Sequence, residues 1–345
     1  MSDFPATPAQ LTAAWLSSAT GTAVSRFTIA PLGEGQGVIG QVCRVRADTA
    51  DGPASYVVKF ASDKPENRAV AETYDMYGRE VHFYRSLSAR LPVRTPRCFA
   101  AHHDPATGDF VLVLEDLASC RVGDQIAGAG LADARAVVTS LAALHAATWE
   151  KPIEGVPSHD VPAQREGIAA GFSAGWPVVE ARFPELIPAD VRAVAPRLAE
   201  RIGDLIGELT SSPQCVVHAD VRLDNILFDG NEVVLVDWQS VCTSSGEQDL
   251  AYFLTQSVDE ALLATHQDSL IELYHTMLIE HGVSGHPLAD CRERYATAAL
   301  YLLAWAVLIA GTLDMGNERG ERLARTLLSR ALGAVRALGG FERLR

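Results

Sequence analysis

The segment that most restricts what this chain can fold into runs from Val216 to Asp237. Val216-Val217 reads as a short strand and His218-Ala219-Asp220-Val221-Arg222-Leu223-Asp224-Asn225 as a loop. Ile226-Leu227-Phe228 is a second strand, and Val233-Val234-Leu235-Val236 a third behind a turn. Asn225 then stands just before one arm of a hairpin and Asp237 just after the other, which an antiparallel pair places at the same end. Asp220 hangs from the loop that feeds that end. Two carboxylates and an amide oxygen at one point suit a hard, oxygen-seeking Mg²⁺ and a hydroxyl nucleophile, the requirements of phosphoryl transfer.

Around this segment the chain divides by periodicity. Residues from about 9 to 18 suggest a short leading helix with Leu11, Trp15 and Leu16 on one face. From Phe27 to Leu117 the sequence is strand-rich: Phe27-Thr28-Ile29, Val42-Cys43-Arg44-Val45, Tyr56-Val57-Val58-Lys59-Phe60 and Phe110-Val111-Leu112-Val113-Leu114. One long helix, from about 70 to 87, interrupts them. After Leu117 the pattern turns helical, with Leu131, Val138, Leu141 and Leu144 at 3.6-residue spacing. Residues 151–164 read as a loop. A further helix follows Pro188, with Asp190 as its cap and Val191, Val194, Leu198, Ile202, Leu205 and Leu209 as its stripe. From about 250 onward the chain reads as helical throughout. Its most apolar run, 298–313, is shorter than the ~20 residues of a membrane span and reads as a buried helix. The fold class is α+β, with a small antiparallel-sheet lobe over 1–117 and a larger, mainly helical lobe over 118–345.

His218-x-Asp220-x-x-x-x-Asn225 followed by an aspartate at a strand end resembles the aminoglycoside/choline-kinase-like branch of phosphotransferases. Val236-Asp237-Trp238-Gln239 and Asp249-Leu250-Ala251-Tyr252-Phe253-Leu254 are most similar to the ecdysteroid-kinase-like (CHK-type) small-molecule kinases. That resemblance implies a bilobal protein-kinase-like fold, ATP and Mg²⁺ as cofactors, Asp220 as catalytic base, and Asn225 and Asp237 as metal ligands. Asp237-Trp238-Gln239 stands where protein kinases carry Asp-Phe-Gly, which argues for a small-molecule enzyme over a protein kinase with a flipping activation segment. His218 reads as a brace of the loop backbone, and Asp249 as a backbone anchor.

On the nucleotide side, Gly33, Gly35 and Gly37 lie in a glycine-rich turn between two strands, where bare backbone N–H groups can approach phosphates. A strand follows rather than a helix, so this is neither a dinucleotide-binding fingerprint nor a P-loop. Lys59, mid-strand among apolar residues, points into a polar cleft in the same family reading and contacts the α- and β-phosphates. Glu80 is its expected anionic partner, with Glu72 as the alternative. Glu115 to Leu117 end a strand and suit a hinge whose backbone bonds an adenine edge, so nucleotide binding extends to Glu115 and Leu117. Arg222 either neutralises charge on the transferring phosphoryl group or pairs with Asp224.

A balance of 43 acidic against 29 basic residues, net −14, repels nucleic acid. The six cysteines show no metal spacing and suit a reduced, cytoplasmic protein without a membrane partner. Met1-Ser2-Asp3-Phe4-Pro5 lacks the pattern of a signal peptide. The expected partner is a small-molecule hydroxyl acceptor bound by the helical lobe, where 165–185, with Phe172, Trp176 and Phe183, offers either a pocket wall or ordinary core. The acceptor is a metabolite or bulky alcohol; an aminoglycoside antibiotic and a nucleotide-binding pseudokinase are the alternatives. The sequence leaves oligomeric state open.

Overall fold

Alternating apolar residues in the first hundred positions build a twisted antiparallel sheet, as period-2 burial requires. The computed structural model describes residues 3–32, 39–312 and 318–344. Its strands β1 (Val24–Pro31), β2 (Gly40–Thr49), β3 (Gly52–Ala61), β4 (Cys98–Asp104) and β5 (Asp109–Glu115) pair in the order β1-β2-β3-β5-β4. Val45, Ala47, Tyr56, Val58, Phe60, Val111 and Val113 cover one side with Leu16 of the leading helix. That helix spans Ala13–Thr20, slightly later than its sequence suggests: Thr12 caps it by accepting the Trp15 N–H at 3.1 Å, and Gly21 ends it at φ +70°.

Two elements differ from the sequence reading. β4 lacked a legible pattern because it is an edge strand, with Ala101 its sole buried residue. The expected single helix from 70 to 87 is broken: Pro65–Thr73 is one helix and Met76–His82 another, continued by a wider π-type turn over Phe83–Leu87. Asp75, left-handed at φ +49°, makes the break. The first helix escaped the pattern because Ala71 is its one buried residue.

The chain divides into two compact units, Met1–Cys120 with Val234–Ser240 and Arg121–Val233 with Val241–Arg345. In the second unit Leu131–Thr148, Pro162–Arg182, Ala189–Leu209, Gly246–Ser257, Glu260–Glu280, Leu288–Thr312 and Glu318–Ala337 are helical. All six expected stripe residues of Ala189–Leu209 are buried. Asp190, however, does not cap that helix; Pro188 occupies the cap and Asp190 lies in the first turn, 3.8 Å from Arg336. Leu288–Thr312 is long and apolar enough by composition to cross a bilayer, and 72% of its most apolar window is buried inside the protein. It crosses Pro162–Arg182 closely: a Cβ built on Gly311 would lie 2.3 Å from the Gly175 Cα. Phe172 and Phe183 are core residues, while Trp176 is half-buried and stacked on Phe172 at 5.7 Å.

Candidate active site

Lys59 lies near the end of β3, the middle strand of the sheet, flanked in register by Val42 of β2 and Leu112 of β5. An ammonium there requires anions. Its Nζ lies 2.7 and 2.8 Å from the two carboxylate oxygens of Glu80 and 2.9 Å from Asp237 Oδ1. Glu80, on the Met76–His82 helix, is 1% exposed. Glu72, the alternative partner, instead reaches the turn at Gly108. Burial works against the charge on Lys59, but Asp237 and Glu80 outweigh it and hold the ammonium above the usual lysine range. The same burial, with the charge of Asp237 adding to it and Lys59 opposing, lifts the Glu80 carboxyl to about 7.

Asp237 itself is left-handed, at φ +67°. The residue after it fixes the segment: Trp238 is fully buried and donates its indole N–H to Leu235 O at 3.1 Å. Its ring stacks face to face on Phe83, with centroids 3.8 Å apart at 8°. Glu80 and Asp237 therefore both approach Lys59 from segments that are packed against each other through Phe83 and Trp238.

At the end of β5, Glu115 donates its N–H to Arg97 O at 2.8 Å, and its carboxylate accepts the Arg97 N–H at 3.1 Å. Leu117 is buried, and its carbonyl accepts the Cys120 N–H at 2.9 Å. Between them Asp116 is held by Arg44 at 2.8 and 3.2 Å and by Ser55 at 2.5 Å. This segment is braced on both sides. Gly33, Gly35 and Gly37 lie outside the described residues.

In the second unit the catalytic-type loop leaves the strand Cys215–Val217, which pairs with Cys242–Ser244. Asp249 grips the loop backbone: its two carboxylate oxygens accept the N–H groups of His218 at 2.7 Å and Ala219 at 2.8 Å. His145 Nε2 lies 3.3 Å from the same carboxylate and Nδ1 lies 2.8 Å from the Tyr274 hydroxyl. Ala219, left-handed at φ +63°, turns the chain so that Asp220 leaves the core. His218, fully buried, accepts the Asp220 N–H on Nδ1 at 3.3 Å and so braces the loop. Leu223 N–H is held by Gln125 at 2.7 Å.

The Asp220 carboxylate is 17% exposed. Its Oδ2 accepts from Asn225 Nδ2 at 2.8 Å, and its Oδ1 from the Tyr252 hydroxyl at 2.9 Å. Arg222 Nε stands 3.6 Å from Oδ1, so the guanidinium accompanies the carboxylate without a direct hydrogen bond to it. Asn225 Nδ2 also donates to Asp220 O at 3.0 Å, so the amide nitrogen is spent within the loop and its carbonyl oxygen is the end left to coordinate. The amide oxygen of Asn225 in the second unit and the carboxylate of Asp237 in the first are both hard donors. Their chemistry fits Mg²⁺ and does not suit a soft metal.

Residues 33–279 match the model of the phosphotransferase enzyme family. The chain belongs to that family. A homoserine kinase of Methylobacterium nodulans (strain LMG 21967 / CNCM I-2342 / ORS 2060) is 34% identical over 133 residues, which is 36% of this chain and 36% of the relative, so the match spans about a third of that curated protein. The GDP and kanamycin complex of the aminoglycoside phosphotransferase APH(2")-IIIa superposes with a TM-score of 0.55 at 14% identity, covering 89% of this chain and 93% of that one. A Plasmodium vivax ethanolamine kinase superposes with a TM-score of 0.51 at 12% identity, covering 89% and 82%. These likenesses establish a protein-kinase-like fold, an antiparallel-sheet region followed by a helical one.

Within this phosphotransferase, one contact escapes a reading of the sequence. Tyr252 lies one helical turn after Asp249, and side chains three apart share a helix face. With Asp249 taken as the loop anchor, that spacing was the signal that Tyr252 also faces the loop.

Proposed function

We propose that the chain is a small-molecule kinase that transfers the γ-phosphate of ATP to a hydroxyl of a small-molecule acceptor. The observation that carries this reading is the Asp220 carboxylate, partly exposed and held at both oxygens by neutral donors on a family-type loop. A carboxylate held in that way keeps its charge and lone pairs for an incoming hydroxyl, which it orients and from which it takes the proton. Lys59, restrained by Glu80, supplies a fixed cation for the nucleotide phosphates, and Asp116 and its partners brace the strand end proposed to meet the adenine. Asn225 and Asp237 would hold Mg²⁺, which when bound neutralises phosphate charge. Arg222, beside Asp220, adds a permanent positive charge on the acceptor side.

Among acceptors, the reading favours a metabolite or bulky alcohol. The partial likeness to a homoserine kinase adds amino alcohols to the range worth testing, and the fold-level likeness to a kanamycin complex keeps aminoglycosides in it. The test is Mg²⁺-dependent ADP or GDP release from ATP or GTP over a panel of homoserine, ethanolamine, choline, aminoglycosides and steroid alcohols. One acceptor class should stimulate release, and Asp220→Ala should lower that stimulation by about 10²- to 10⁴-fold, the usual worth of a positioned base. Nucleotide binding without acceptor-stimulated release from any class would favour a pseudokinase. No nucleotide binding at all would overturn the proposal.

A further inference from the structure

The helix Gly246–Ser257 is buried along its entire length, all twelve residues of it. Such a helix is a rigid mount, and sites held by helices are more precise than sites held by loops alone. On one face it carries two side chains that reach the catalytic-type loop. Asp249 holds the loop backbone at His218 and Ala219, and Tyr252 holds the carboxylate of Asp220 at 2.9 Å. Backbone and side chain of the proposed base are thus referenced to the same helix.

The Tyr252 hydroxyl has one hydrogen to give. That hydrogen is committed to Asp220 Oδ1. Burial, and after it the charge of Asp220, push the Tyr252 hydroxyl well above the usual tyrosine range, so it remains a donor throughout the working pH range. Asn225 grips the opposite carboxylate oxygen. Fixed at both oxygens, the carboxylate plane cannot rotate, and the lone pairs left over point in one set direction.

We propose that Tyr252 is a positioning residue for Asp220, its hydroxyl setting the orientation in which the carboxylate meets the acceptor hydroxyl. The inference rests on the kinase reading above.

The experiment uses the full chain and the acceptor giving the largest stimulation. It compares wild type with Tyr252→Phe. Tyr252→Phe keeps the ring and its packing. It should lower kcat for acceptor phosphorylation by about 10- to 100-fold, the worth of a hydrogen bond to a charged group, with the KM for ATP unchanged. The split between kcat and KM separates positioning from a general loss of structure, which would weaken ATP binding as well. An unchanged kcat in Tyr252→Phe, or a rise in the KM for ATP that accounts for the whole loss, would overturn the inference while leaving the kinase reading intact. Wild-type protein without acceptor-dependent turnover would overturn both.

Discussion

Lys59 in the first unit is surrounded by two carboxylates, whereas Asp220 in the second is gripped by an amide and a phenol. The contrast follows from what each group must do. A buried ammonium has to lose its proton or be met by opposite charge, and here two carboxylates meet it. The base proposed here must keep its charge, so its position has to be set by groups that donate hydrogen bonds without cancelling it. The first site is therefore made of charges that depend on one another, the second of geometry.

The largest expected effect tests that dependence. Lys59→Met leaves two carboxylates facing each other and should destabilise the protein by ~3–5 kcal/mol in urea unfolding, besides weakening nucleotide binding. Adding Glu80→Leu removes the uncompensated charge and should recover much of the loss. A neutral Lys59→Met would break the comparison.

A smaller effect sharpens it through pH. Glu80 is lifted to about 7, so its contribution to stability is present in full below the ordinary glutamate range and is lost as pH rises through about 7. Glu247 in the second unit behaves oppositely. It is fully buried, which opposes its charge, but His286 at 2.7 Å, Ser245 and Arg294 outweigh burial and hold its carboxyl below the usual range. Its contribution is present above the ordinary glutamate range and is lost as pH falls through the lowered value. Urea denaturation from pH 4 to 8 should show the Glu80→Gln variant gaining on wild type as pH rises. Glu247→Gln should gain on it as pH falls. Parallel pH profiles for the two variants would contradict the assignment.

The smallest effect concerns backbone. Ala219→Gly relieves a left-handed alanine and should change stability by ~1 kcal/mol or less, in the stabilising direction, while loosening the turn that presents Asp220. A loss of acceptor-stimulated turnover without loss of stability is the expected signature.

How legible each site was follows the same division. Lys59, Asp220, Asn225 and Asp237 stand out because a charged or polar residue interrupts or abuts a short apolar strand, where period 2 leaves little ambiguity. Glu80 is placed by its helix, although that helix is shorter than the pattern suggests, since no apolar periodicity betrays the left-handed Asp75. Tyr252 is hidden for a different reason: an aromatic residue in an apolar helix looks like core, and its ring is core; the hydroxyl alone reaches the site. β4 is hidden because an edge strand needs no alternation. The six stripe positions of Ala189–Leu209 are plain in the sequence, whereas its cap is hidden because a proline takes the place that Asp190 suggests.

The stack of Trp238 on Phe83 has a pharmacological consequence. Inhibitors that select an inactive kinase by capturing its metal-binding segment swung outward need that segment to leave its seat. Here the seat is filled by an indole fully buried against a phenyl ring on the turn that continues the Glu80 helix, with its N–H tied to Leu235. Opening it means separating two large buried rings, a loss of the order of the ~3–5 kcal/mol that removal of such a side chain costs. Compounds of that kind should discriminate strongly against this protein, and selective ligands are better sought against the in-place segment or on the acceptor side.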